Sequence, residues 1–302
     1  MENTFDIILD RLFDYAGMFP PAAKSFEAAL RESAELPDTL RRPYMLNSDI
    51  VLDTSHARNV ADLNLRTFGY KREVSVALLA TSTIDEALEV AEKLSGVRPS
   101  ADDAKCRVSS IELKLNPGIA NDSLRALCDY CSRHQILFAV EPDLSTDSWK
   151  ELLEQTLETL ISLSVPGALK CRGSGPTGIG PERLARAVCR VSDAGLPFKV
   201  TGGFHHPIVE SGLYGNTMGF LNLAVAVMLR RAHQDSLSEA EVATLLANSD
   251  PAAFTWGDTM KYRGLSISCH DLRSVKAKAP FSIGSCSLAE PDQDLARLFS
   301  FK

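Results

Sequence analysis

The sequence has no basic block, no long apolar run and no paired pattern of cysteines. Its 32 Lys and Arg residues are outnumbered by 39 Asp and Glu and are scattered along the chain, so no positive stripe awaits a phosphate backbone. The longest apolar run, about Phe220 to Leu229, is too short to span a bilayer. The opening Met1-Glu2-Asn3-Thr4 lacks the basic and apolar regions of a signal peptide. Together these absences predict a cytoplasmic protein with neither membrane nor nucleic acid as a partner. The seven cysteines are odd in number and irregular in spacing, which suits reduced thiols. Cys128 and Cys131 form a CxxC inside a helical pattern, and without a second such pair they read as core packing rather than zinc ligands.

What is present is the rhythm of an α/β protein. Apolar residues at 45% give 302 residues enough material for a substantial core, which excludes disorder over most of the chain. Strand-like runs lie at 11–18, 44–52, 74–80, 108–115, 136–141, 167–172, 197–201 and 281–286, and helical runs at 25–36, 84–94, 123–134, 147–163 and 181–194. Each pair takes about 30 residues, as a βαβ unit requires. Eight strands alternating with helices predict a single (β/α)8 barrel domain over 1–302. The rhythm breaks after Thr201, where a loop (202–212), helices at 216–233 and 239–248 and a hairpin turning at Gly257-Asp258 precede the last strand. With 216–233 as the seventh barrel helix, segment 234–280 is an insertion between strands seven and eight. It is expected outside the lumen on the amino-terminal side, serving stability or association with another copy.

Strand parity then selects the candidate site. In the fourth strand Ile111, Leu113 and Leu115 form one face and Glu112, Lys114 and Asn116 the other; helices seal the outer face, so the polar set points into the barrel. The same argument turns Ala139 and Glu141 inward in the fifth strand, Ala168, Lys170 and Arg172 in the sixth, and Lys199 and Thr201 in the seventh. Four cations and two carboxylates in one lumen are unlike the branched apolar filling of an ordinary barrel. A buried salt-bridge network that fixes register is the alternative, but it would leave a positive excess, which an anionic substrate would neutralise. Lys170 and Lys199, near the ends of neighbouring strands, should disfavour each other's protonation, which would supply the neutral amine that Schiff-base chemistry needs.

These segments, taken in order, resemble a known group. Phe13-Asp14-Tyr15-Ala16-Gly17-Met18-Phe19-Pro20, Ile111-Glu112-Leu113-Lys114-Leu115-Asn116, Ala139-Val140-Glu141, Ala168-Leu169-Lys170-Cys171-Arg172-Gly173-Ser174-Gly175, Lys199-Val200-Thr201-Gly202-Gly203 and Ile283-Gly284-Ser285 are similar to the deoxyribose-phosphate aldolase group of class I aldolases. The resemblance implies a barrel in which Lys170 forms the Schiff base, Lys199 is the partner lysine and Glu112 the proton-relay acid, with no cofactor. Tyr15 stands where that group has His, Glu112 where it has Asp, and Cys171-Arg172 where it has small hydroxyl residues.

Other residues complete the expected site. His205 and His206 lie on the loop leaving the seventh strand and are candidates for substrate contact; as ligands of a metal they would need Glu112 or Glu141 beside them. Gly202, Gly203, Gly284 and Ser285 end the last two strands, where barrels bind phosphate through backbone N–H groups, although tight turns alone would also explain the glycines. Segment 173–180 lacks the Lys-Ser/Thr of a P-loop and reads as a loop able to close over a substrate. Cys171 faces outward by parity. The sequence thus predicts a Schiff-base aldolase or lyase for a small anionic carbonyl compound, with or without a phosphate. Glu141, Arg172, Thr201, Gly202, Gly203, His205, His206, Gly284 and Ser285 would hold that substrate. The alternatives are a metal-assisted hydrolase or lyase built on His205 and His206, and a non-catalytic binding barrel.

Overall fold

The structure, a computed structural model, describes residues 3–96, 105–115, 121–163, 167–212 and 215–299. In chain order helix α1 (Thr4–Leu9) leads into β1 (Phe13–Tyr15), α2 (Phe26–Thr39), β2 (Leu46–Ser48), β3 (Ile50–Asp53), α3 (Thr54–Val60), β4 (Val74–Ala80) and α4 (Ile84–Gly96). There follow β5 (Cys106–Lys114), α5 (Asn121–His134), β6 (Leu137–Glu141), α6 (Trp149–Ser162), β7 (Ala168–Arg172), α7 (Pro181–Asp193) and β8 (Phe198–Thr201). The helices start where their sequences permit: Ser25 accepts a hydrogen bond from the Ala28 N–H, Asp53 accepts from His56, and Pro181 opens α7, where its missing donor costs nothing.

The parallel sheet runs β2-β1-β14-β8-β7-β6-β5-β4-β3, with β14 (Phe281–Ser285) followed by α11 (Ala289–Leu298). β2 and β3 are separated only by Asp49; β2 pairs with β1 and β3 with β4, so together they act as one bent second strand that brings the sheet round into a (β/α)8 barrel. The sequence reads 44–52 as unbroken because the break is made by a side chain. The Asp49 N–H donates to Ser75 Oγ at 3.0 Å, while its carboxylate accepts from the Ser75 N–H at 2.8 Å and from Arg72 at 2.6 Å. The first strand is shorter than the expected 11–18, because Arg11 sits at φ 50° with its N–H on the Tyr44 carbonyl, and the chain turns away after Tyr15.

After β8, the hairpin of β9 (Glu210–Gly212) and β10 (Gly215–Thr217) precedes α8 (Phe220–His233). Every residue of α8 from Phe220 to Arg230 is buried, so this helix needs cover on all sides. The inserted segment supplies it. α9 (Glu239–Leu246) packs on α7 and α8, and α10 (Cys269–Lys278) and strand β13 (Leu265–Ser268) also lie against α8. Strand β13 belongs to an antiparallel sheet with β11 (Phe254–Thr255) and β12 (Thr259–Tyr262); its first hairpin turns at the expected Gly257-Asp258. The buried Asn222 of α8 donates to the carbonyls of Leu245 (2.9 Å) and Asn248 (2.8 Å) and so closes the end of α9. The small sheet meets α1, beneath the amino end of β1: the Thr4 N–H reaches the Gly257 carbonyl at 2.9 Å and Phe5 meets Trp256 edge-on at 5.0 Å. Among the described residues no helix is long and apolar enough to cross a membrane.

Candidate active site

Six charged side chains from five strands meet at the carboxyl ends of the barrel. In β7 and β8, Leu169, Cys171, Phe198 and Val200 join the core under the helices, which turns Lys170, Arg172 and Lys199 inward; Ile111 and Leu113 do the same for Glu112 in β5. Lys170 pairs in register with Lys199, and Arg172 with Thr201. Lys170 Nζ lies 2.7 Å from Glu141 and 3.0 Å from Glu112, and Lys199 Nζ lies 2.6 Å from Asp14 and also contacts Glu112. The Arg172 guanidinium lies 2.8 Å from Glu141. The charges therefore alternate along one row: Asp14, Lys199, Glu112, Lys170, Glu141, Arg172. Only Arg172, with 29% of its side chain exposed, reaches towards solvent; Lys170 is 3% exposed.

Two sequence expectations are corrected by this row. The positive excess does not exist, because Asp14 supplies a third inward carboxylate and Lys114 is exposed at the strand end rather than gathered inside. Nor does one lysine simply repel the other's proton, since Glu112 stands between them. Burial works against the Lys199 ammonium, but Asp14 and Glu112 outweigh it and shift its pKa upward. Burial likewise pushes the Glu112 carboxyl up, and the ammoniums of Lys199 and Lys170 overcome that and hold it down to about 2. Glu141 is also lowered, by Lys170 and Arg172 against the cost of burial. Asp14 is the site residue that strand parity could have found: it sits between Phe13, which packs on Phe220 of α8, and Tyr15, whose hydroxyl donates to Glu32 of α2 at 2.5 Å. Asn116 lies outside the described residues.

The glycine-ended strands are shaped as tight turns. Gly202 and Gly203 have φ of 67° and 79°, and a methyl group on Gly202 would sit 2.8 Å from Ser174 Oγ. Gly202→Ala is expected to lower stability by about 1–3 kcal/mol through backbone strain. Ser174→Ala should recover only the part caused by the contact, as measured in a denaturant double-mutant cycle. Thr201 Oγ1 lies over the Gly284 carbonyl at 3.4 Å, and Ser285 Oγ donates to the Ser287 carbonyl at 2.6 Å. The 173–180 loop is folded back on its own strand, with the Ile179 N–H on the Arg172 carbonyl at 2.9 Å.

His205 and His206 do not turn to Glu112 or Glu141. Nδ1 of His205 lies 3.5 Å from Glu290, and burial, the larger influence, lowers its pKa against that carboxylate. Nδ1 of His206 lies 2.7 Å from Asp294 and 3.9 Å from Glu210, a set of three that could hold a metal ion, although Arg297 already pairs with both carboxylates. Cys171 is buried against the helices as expected, and burial raises its thiol pKa far from the thiolate range. Cys128 and Cys131 are buried core residues. A cavity of about 790 Å³ opens at the opposite, amino-terminal end of the barrel, walled by Tyr44, Phe198, Lys276 and Phe281. No protein-family model matches the chain, and no curated protein is significantly similar to it.

Proposed function

We propose that the protein is a class I aldolase or related Schiff-base lyase acting on a small anionic carbonyl compound, with or without a phosphate. The observation that carries this reading is the pair Lys170 and Lys199, side by side on adjacent strands with Glu112 between their ammoniums, at the end of the barrel where such enzymes do their chemistry. A structural network would serve the same register anywhere along the strands; here it lies at their carboxyl ends, beneath a partly exposed arginine. Lys170 attacks the carbonyl after passing its proton to the Glu112 carboxylate 3.0 Å away, with the Lys199 ammonium on the far side of that carboxylate as its counter-charge. Arg172 is the contact for a carboxylate or phosphate at the mouth. The resemblance to the deoxyribose-phosphate aldolase group agrees with these assignments.

The metal-assisted reading rests on His206, Glu210 and Asp294. It is weaker because the Arg297 guanidinium lies 3.0 Å from Asp294 and so competes with a cation. Borohydride reduction in the presence of a carbonyl panel, followed by intact-mass measurement and peptide mapping, decides between them. A mass increase on Lys170 is the expected result.

A further inference from the structure

The half of the lumen facing the charged row is built differently. Ile50 and Leu52 of β3 join the main core, so Val51 and Asp53 face inward. Val51, Ala77 and Ala16, with Phe19 packed on them, form a small apolar cluster apart from that core. Asp53 pairs in register with Leu79, and Leu79 with Glu112. Asp53 therefore stands two strands from Glu112 at the same level, about 10 Å away by strand spacing.

Asp53 holds a histidine. Its carboxylate accepts the His56 backbone N–H at 2.9 Å and lies 2.9 and 3.0 Å from His56 Nδ1, while the ring rests on Phe26 at 5.2 Å. Ser55 Oγ donates to the same carboxylate at 2.7 Å. A carboxylate on Nδ1 orients the ring and places the proton there, leaving Nε2 as an acceptor. Among the described residues Nε2 has no protein partner, and the side chain is 35% exposed. Glu112 and Glu141 are already paired with Lys170, Lys199 and Arg172, and those cations weaken both carboxylates as bases towards a hydroxyl; Glu112 serves the Lys170 proton instead.

We infer that His56 Nε2 is the base that acts on the hydroxyl of a short β-hydroxy carbonyl substrate, with Asp53 as its positioning residue and Ala16, Val51 and Ala77 beneath the carbon chain. The inference rests on the Schiff-base reading. In cleavage His56 takes the proton of the β-hydroxyl, and the O–H electron pair becomes the new C=O bond. The bond between the α and β carbons breaks, its pair forms the C=C of an enamine on Lys170, and the iminium π pair returns to nitrogen. An aldehyde leaves, with no oxidant or reductant involved; in the reverse direction the imidazolium returns its proton.

The test uses the full chain and a panel of short β-hydroxy aldehydes and ketones with and without phosphate. Borohydride trapping and steady-state cleavage are measured for wild type, His56→Ala and Asp53→Asn. His56→Ala should trap on Lys170 as wild type does, keep KM and lose about 10²–10⁴-fold in kcat, and regain turnover with added imidazole. Asp53→Asn should fall between the two. A His56→Ala enzyme with kcat within about threefold of wild type, or one that loses trapping and turnover together without imidazole rescue, overturns the role of His56 while leaving the lysine reading intact. If wild type neither traps nor cleaves any member of the panel, the Schiff-base reading fails and this inference falls with it.

Discussion

Lys170→Ala should abolish borohydride trapping and lower turnover by ~10³-fold or more, because no other group can replace a covalent nucleophile. The difficulty with this variant is that Lys170 also neutralises Glu112 and Glu141, so an inactive enzyme could be a loosened one. Lys170→Arg separates the two causes. A guanidinium keeps a cation between the carboxylates but cannot form an imine, so Lys170→Arg should melt close to wild type and remain inactive. Full activity in Lys170→Ala rules out the mechanism. Trapping on Lys199 in the wild type would mean that the two lysines have exchanged roles, a plausible exchange since they face each other in register.

Lys199→Met should be the most destabilising single change in the row, costing about 3–5 kcal/mol at pH 7, because it leaves Asp14 and Glu112 buried beside an apolar chain. The cost should depend on pH. Glu112 titrates near 2 in the fold and near 4.5 in the unfolded chain, so its contribution is complete above about pH 4.5 and fades as pH falls towards 2. Lys199, shifted upward, contributes fully below its unfolded value of 10.5 and loses that contribution only at still more alkaline pH. With Lys199 gone, burial again favours protonation of Glu112. The melting-temperature gap between variant and wild type should therefore narrow from pH 7 to pH 4. A constant gap would show that packing, not charge, dominates the loss.

The barrel could be read from the sequence because most βα units state themselves locally, through a strand run, a start signal and an apolar stripe, although the short α3 after the bent second strand did not. Parity placed Glu112, Glu141, Lys170 and Lys199 correctly for the same reason: a strand has two faces and the helices occupy one. The errors came from what is non-local. The break at Asp49 depends on Ser75 and Arg72, and the balance of the row depends on Asp14, a residue 185 positions from Lys199. Lys114 has the right parity but lies too near the strand end to be enclosed, and parity says nothing about depth. His56 carries no strand signal at all, since it is placed by the cap of α3.

The alternating row also determines what an incoming anion must bring with it. Within the row three cations face three carboxylates, so the row is electrically balanced, and a bound carboxylate or phosphate adds a charge that no member of the row offsets. Binding is then linked to proton uptake from solvent. Calorimetric heats of binding should differ between buffers of unequal ionisation enthalpy, and the difference counts the protons that travel in with the ligand.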